Sequence, residues 1–151
     1  MTQEDKQLLL KDISARLPYG VKCIVTKSRT EEGQEGDFGK IGWVCLEGVD
    51  CIGDREPFFS EFGNFKPYLI PLSSLTEEQR NYISKLLIDT QNEFPPYGEL
   101  NTKGCDNLFV CSVKQANVLI NYCLANHLDI NGLIEKGLAI EAPKDMYKNQ
   151  Q

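Results

Sequence analysis

Six cysteines and a single histidine are the side chains here with the widest chemical repertoire, and two of their spacings invite a reading. Five residues separate Cys45 from Cys51 and five separate Cys105 from Cys111, so four thiolates are on hand for a tetrahedral zinc. Structural zinc sites usually leave about two to four residues between paired ligands. A hairpin with a short loop would set Cys45 opposite Cys51 as a packed cross-strand pair, with no metal needed. Small buried side chains are therefore the expectation at these four positions, and no metal or other cofactor is expected. Cys123 and His127 stand four apart in a helical stretch. That spacing brings two side chains together, as a thiolate–imidazole pair or half a metal site would require. No oxyanion donor or group to orient the base is identifiable around them, and the dipole and free carbonyls of a helix end account for a histidine in its last turn. His127 is expected to be structural.

Other chemistry finds less support. The sequence contains no phosphate-binding loop, dinucleotide fingerprint, His-Glu-x-x-His helix or calcium loop. Glu31, Glu32, Glu35 and Asp37 are interleaved with glycines and lack an apolar period, which describes a solvated loop better than a cation cage. Lys11, Arg16, Lys22, Lys27 and Arg29 could line one side of the first helix and strand and touch a phosphate backbone. The field opposes them. The chain carries a formal net charge of −6, and between Glu31 and Glu61 nine acids face only Lys40 and Arg55, a local charge of −7. Nucleic acid and anionic membrane both require the opposite sign.

The elements that must hold these residues follow from local patterns. Thr2 and Asp5 form a capping pair, and Leu9, Leu10, Ile13 and Leu17 recur at helical spacing, which predicts a helix over 3–17 ended by Pro18-Tyr19-Gly20. Val21, Cys23 and Val25 alternate as a strand. Residues 40–52 read as a hairpin, with Ile41, Trp43 and Cys45 on one arm, Val49 and Cys51 on the other, and a turn at Glu47-Gly48. A further strand is predicted over 57–62. Phe58, Phe59, Phe62 and Phe65, together with Trp43 and Tyr68, are expected to supply the aromatic part of the core. Pro67 and Pro71 force their predecessors out of helical geometry, so 65–72 is an extended arm.

Thr76-x-x-Gln79 then opens a second helix carrying Tyr82, Ile83, Leu86 and Leu87, which ends before Phe94-Pro95-Pro96. Residues 94–108 read as loop. Ser112 and Gln115 suggest another capping box, for a helix with Val113, Ala116, Leu119, Ile120, Cys123, Leu124 and His127 on one stripe. Asp129-Ile130-Asn131-Gly132 is turn chemistry, followed by a short helical segment closed by Gly137. Leu133, Ile134, Leu138 and Ile140 are too apolar for a free tail. Leu138–Ala142 is expected to lie against the Tyr68–Leu72 arm as an added strand or an apposed extended segment.

A chain of 151 residues can bury one core without disulfides. Its 41% hydrophobic and 25% charged residues are ordinary for a globular protein, and no apolar run reaches bilayer length. The opening Met1-Thr2-Gln3-Glu4-Asp5-Lys6 lacks the basic and apolar regions of a secretory signal, which sets the expectation of a cytoplasmic protein whose cysteines are thiols.

Three stretches carry a resemblance to a known family. They are Leu8-Leu9-Leu10-Lys11-Asp12 through Ala15-Arg16-Leu17-Pro18-Tyr19-Gly20-Val21, then Lys66-Pro67-Tyr68-Leu69-Ile70-Pro71-Leu72-Ser73-Ser74 through Thr76-Glu77-Glu78, and finally Asn126-His127-Leu128-Asp129-Ile130-Asn131-Gly132 through Glu141-Ala142-Pro143. In these the chain resembles small, functionally uncharacterised proteins of gut anaerobes and their prophages. The resemblance implies a bacterial cytoplasmic protein borne on a mobile element and brings no activity with it. The chain departs from that pattern at Ile70, where arginine is usual, and at Ile130-Asn131, where a Tyr-Arg pair is usual. A binding role of those arginines does not carry over.

The expected architecture is a single α+β domain over 1–151: an N-terminal helix (1–18), a β-rich half holding a small curved antiparallel sheet (19–72), a helical half packed on it (73–143) and a polar tail (144–151). The leading functional reading is a non-catalytic interaction or regulatory protein with a protein partner. The rivals are a cysteine- or zinc-dependent activity at the residues above and association with nucleic acid through the basic N-terminal side.

Overall fold

The computed structural model describes residues 1–27, 34–53, 56–88 and 113–147. Its first element opens with a reciprocal cap: Thr2 Oγ1 accepts from the Asp5 N–H and Asp5 Oδ2 accepts from the Thr2 N–H, both at 3.1 Å. The side-chain bond from Thr2 holds the Asp5 carboxyl below its usual value, so the cap is formed by the charged carboxylate. The helix, α1 (Gln3–Arg16), buries Leu9, Asp12, Ile13 and Arg16. A 3-10 turn over Leu17–Tyr19 follows and is closed by Gly20, whose φ of 72° lies in the left-handed region that glycine enters without strain.

Among the described residues the strands are β1 (Lys22–Val25), β2 (Phe38–Val44), β3 (Gly48–Gly53), β4 (Pro57–Glu61), β5 (Phe65–Leu69) and β6 (Ile140–Glu141). They form one open sheet in the order β4-β3-β2-β1-β5-β6. The α+β class holds, but the sheet is mixed and not antiparallel throughout, because β6 joins β5 in parallel. Leu9 and Ile13 of α1 pack with Cys23, Ile41, Val49, Cys51, Phe65 and Leu69 of the sheet to make the core, which Leu133 and Ala139 complete from the C-terminal stretch. Burying such side chains contributes about 1.5–3 kcal/mol each before entropy is counted.

One irregularity decides which way the hairpin faces. The register runs Lys40↔Ile52 and Ile41↔Cys51, then shifts so that Trp43 stands opposite Asp50. Strict alternation from Ile41 would put Trp43 opposite Val49, on the core face. The extra residue, Gly42, turns it outward instead, and Trp43 is 65% exposed. This corrects the expectation that Trp43 joins the aromatic core, where Phe65 is the fully buried phenylalanine among the described residues.

The same register corrects the cysteine pairing. Cys51 lies opposite Ile41, and Cys45 sits in the turn, its N–H donating to Gly48 O at 2.9 Å. Gly48 is required there, since a Cβ would run into the Ser60 carbonyl oxygen across the β3/β4 pair.

The C-terminal stretch docks where the apolar residues imply. Tyr68 pairs with Ile140 and Leu69 with Glu141, the Ala142 N–H donates to Leu69 O at 2.7 Å, and Ile70 forms a further bridge with Leu128. Asp129 organises the turn before it by accepting from the Leu133 and Ile134 N–H groups at 2.8 and 2.9 Å. Gly137, with φ 68°, closes a hydrogen-bonded turn over 133–137 and not the short helix expected there.

By internal contact the chain divides into two units, Met1–Ser73 with Cys123–Gln151, and Ser74–Tyr122. In the second, α2 (Glu77–Ile88) opens with the expected box: the Gln79 N–H donates to Thr76 Oγ1 at 3.2 Å and the Thr76 N–H to Gln79 Oε1 at 3.0 Å. Tyr82 and Tyr122 meet with ring centroids 4.5 Å apart. The helix α3 (Val113–Ala125) starts in this unit, and its last residues, among them the buried Cys123 and Leu124, belong to the first. Ile120, expected on the buried stripe, is 44% exposed. The predicted loop over 94–108 and the Ser112 cap lie outside the described residues.

Candidate functional site

The residues singled out for chemistry fall in separate places. Cys105 and Cys111 lie outside the described residues. Cys45 is partly exposed, its thiol 3.9 Å from Glu47 Oε2, whereas Cys51 is buried with its Sγ 3.2 Å from that of Cys23. The neighbouring Cys51 sulfur, followed by burial, pushes the Cys23 thiol far up, so Cys23 is held protonated, packed against Cys51. Among the described residues no three His, Cys, Asp or Glu side chains gather as metal ligands would.

Cys123 and His127 are both buried, but α3 ends at Ala125 and His127 stands beyond it with a positive φ of 54°. The helix-dipole account of His127 is therefore replaced by another. Its ring stacks on Tyr147 at a centroid distance of 3.7 Å. Burial, and next the charge of Arg16, push the imidazole from 6.5 down to about 4, against a hydrogen bond to the Tyr19 backbone. Burial likewise raises the Cys123 thiol, with Arg16 opposing. Each group is driven toward its neutral form, the reverse of what a thiolate–imidazolium nucleophile needs.

At the centre of this region is Arg16, fully buried with Asp12. Arg16 Nε donates to Asp12 Oδ2 at 2.6 Å, and Nη2 donates to Asp12 Oδ1 at 3.0 Å and to Leu128 O at 2.8 Å. Asn131 Nδ2 adds a bond to Asp12 Oδ1 at 2.7 Å. The network ties α1 to the C-terminal turn and withdraws Arg16 from any phosphate contact. Lys22 is tied down too, its Nζ donating to Met146 O at 3.2 Å. The basic side proposed for nucleic acid thus loses its central residue to structure. The i,i+4 spacing of Asp12 and Arg16 on the face of Leu9 and Ile13 is the signal that could have placed the pair inside.

What the structure leaves outward is the far face of β2, β3 and β4. Trp43, Asp50 and Phe59 stand in one cross-strand row and Lys40, Ile52 and Pro57 in another. Ile52 is 62% exposed, and its side chain lies over the bare backbone of Gly42. Leu46, at the hairpin tip, is also exposed, and the Phe59 ring covers Gly48. The chain matches no protein-family model, no curated protein and no solved structure. Its own geometry is therefore the guide to function. The lone glycine between Ile41 and Trp43 is the sequence sign of this face, since an isolated glycine within a strand pattern often marks a bulge. Among the described residues no helix is long and apolar enough to cross a membrane.

Proposed function

We propose that the protein is a non-catalytic interaction module that docks a protein partner on the outer face of β2–β4. The observation that carries this reading is the bulge at Gly42, which takes the chain's single tryptophan out of the core-facing register and presents it beside Ile52. Bulges commonly re-aim a side chain near functional sites, and tryptophan is among the residues most enriched at binding hot spots. The buried titratable groups, by contrast, serve packing. The resemblance to small prophage-associated proteins fits a regulatory role in a bacterial cytoplasm. The test compares proteins retained by immobilised wild type and by a Trp43→Ser/Ile52→Thr variant with an unchanged melt. Loss of a specific partner in the variant supports the proposal, and an identical retained set overturns it.

A further inference from the structure

Given the docking role, on which the inference rests, the charge around Trp43 narrows the class of partner. Asp50 lies directly between Trp43 and Phe59 across the strands, and Glu47 and Glu56 are exposed nearby in sequence. Among the described residues of 38–61, Lys40 is the one basic side chain, and its Nζ is drawn over Gly20, where a Cβ would lie 3.1 Å from it. An indole face beside an exposed carboxylate, with no cation between them among the described residues, is a complement for a guanidinium or ammonium group: the ring attracts the charge and the carboxylate pairs with it.

We infer that the face recognises a basic, apolar polypeptide segment, in which an Arg or Lys side chain covers Trp43 and pairs with Asp50 while a neighbouring aliphatic side chain sits on Ile52. A second copy of this chain fits poorly, since it would bring the same acidic field against this one.

The sole tryptophan makes the test direct. Three decapeptides alternating Arg with Leu, Glu with Leu, and Arg with Ser are titrated while Trp43 emission is followed, with anisotropy of labelled peptide as the readout for variants. The Arg–Leu peptide is expected to shift the emission to the blue and bind more weakly as salt rises. Asp50→Asn and Ile52→Thr are each expected to lower its affinity by about tenfold, the scale of losing one good contact. Equal binding of the Glu–Leu peptide, with Asp50→Asn neutral, would overturn the charge preference and leave the docking role standing. Absence of any shift with the Arg–Leu peptide also overturns the inference, and only an unchanged set of proteins retained by Trp43→Ser/Ile52→Thr then removes the docking role as well. A blue shift with protein concentration alone, matched by dimer sedimentation, would make the occupant a second copy and refute the basic segment.

Discussion

Arg16 and Asp12 form a two-point ion pair, with contacts of 2.6 and 3.0 Å and both side chains sealed from solvent, one turn apart on the helix that covers the sheet. Removing one partner strands the other charge in the interior, whereas removing both leaves an apolar site. Arg16→Met and Asp12→Leu are each expected to destabilise by about 3–5 kcal/mol in urea unfolding at pH 7, with the double variant less damaged than either single one. Additive losses in the double variant would show that the pair acts through its separate bonds to Leu128 and Asn131.

His127 gives a pH signature that can be read from one resonance, because the chain has a single histidine. Its pKa in the folded protein is lowered to about 4 from 6.5, so between those values the unfolded chain binds the extra proton. Stability from this group is complete above pH 6.5 and is lost as pH falls toward 4, by about 3 kcal/mol. NMR titration of the imidazole should show a midpoint far below 6.5. His127→Asn, which tolerates the positive φ, should flatten that part of the stability profile relative to wild type. A midpoint at or above 6.5 would mean the ring is charged and solvated.

Thiol reactivity separates the described cysteines. Cys45 is partly exposed, and Cys23, Cys51 and Cys123 are buried with the Cys23 and Cys123 thiols pushed up. Alkylation of native protein followed by peptide mapping should mark Cys45 early, and the other three only at the rate of opening or after unfolding. Rapid native labelling of Cys123 would reopen the question of a reactive thiol beside His127.

Local signals in the sequence carried far, and the misreadings share a cause. Thr2 with Asp5 and Thr76 with Gln79 are caps set by residues three apart, and both form as the residue types dictate. Arg16 reads as a surface base because basic residues usually are. Its two bonds to Asp12 and the long-range bond to Leu128, with Asn131 bonding Asp12 in turn, make its burial tolerable, and no local pattern shows the long-range partners. Trp43 reads as core because alternation from Ile41 puts it there, until one inserted glycine reverses every facing beyond it. His127 reads as helical because no glycine marks the end of α3, yet the chain turns at a positive φ there to bring the ring onto Tyr147.

The seam between β5 and the C-terminal stretch shows the opposite case, an unpaired apolar segment whose partner could be named from need alone. Truncation after Gly137 would remove the β6 pairing, the Ala142 bond to Leu69, the buried Ala139, and Tyr147. The Tyr147 hydroxyl donates to Tyr68 O at 2.9 Å and accepts from the Lys22 N–H at 3.1 Å, bridging β1 and β5 where the ring also covers His127. Burial raises the pKa of this phenol, so it stays a neutral donor across the working pH range. Tyr147→Phe keeps the stack and leaves the Tyr68 carbonyl and the Lys22 N–H without their shared partner, an expected loss of about 1–3 kcal/mol. Truncation removes several such terms together and should abolish cooperative unfolding, since a large fraction of a domain's roughly 5–15 kcal/mol is at stake. If calorimetry of the truncated chain still showed a sharp transition, the stretch after Gly137 would be a detachable arm, and the parallel pairing at Tyr68 would itself become a place where another chain could dock.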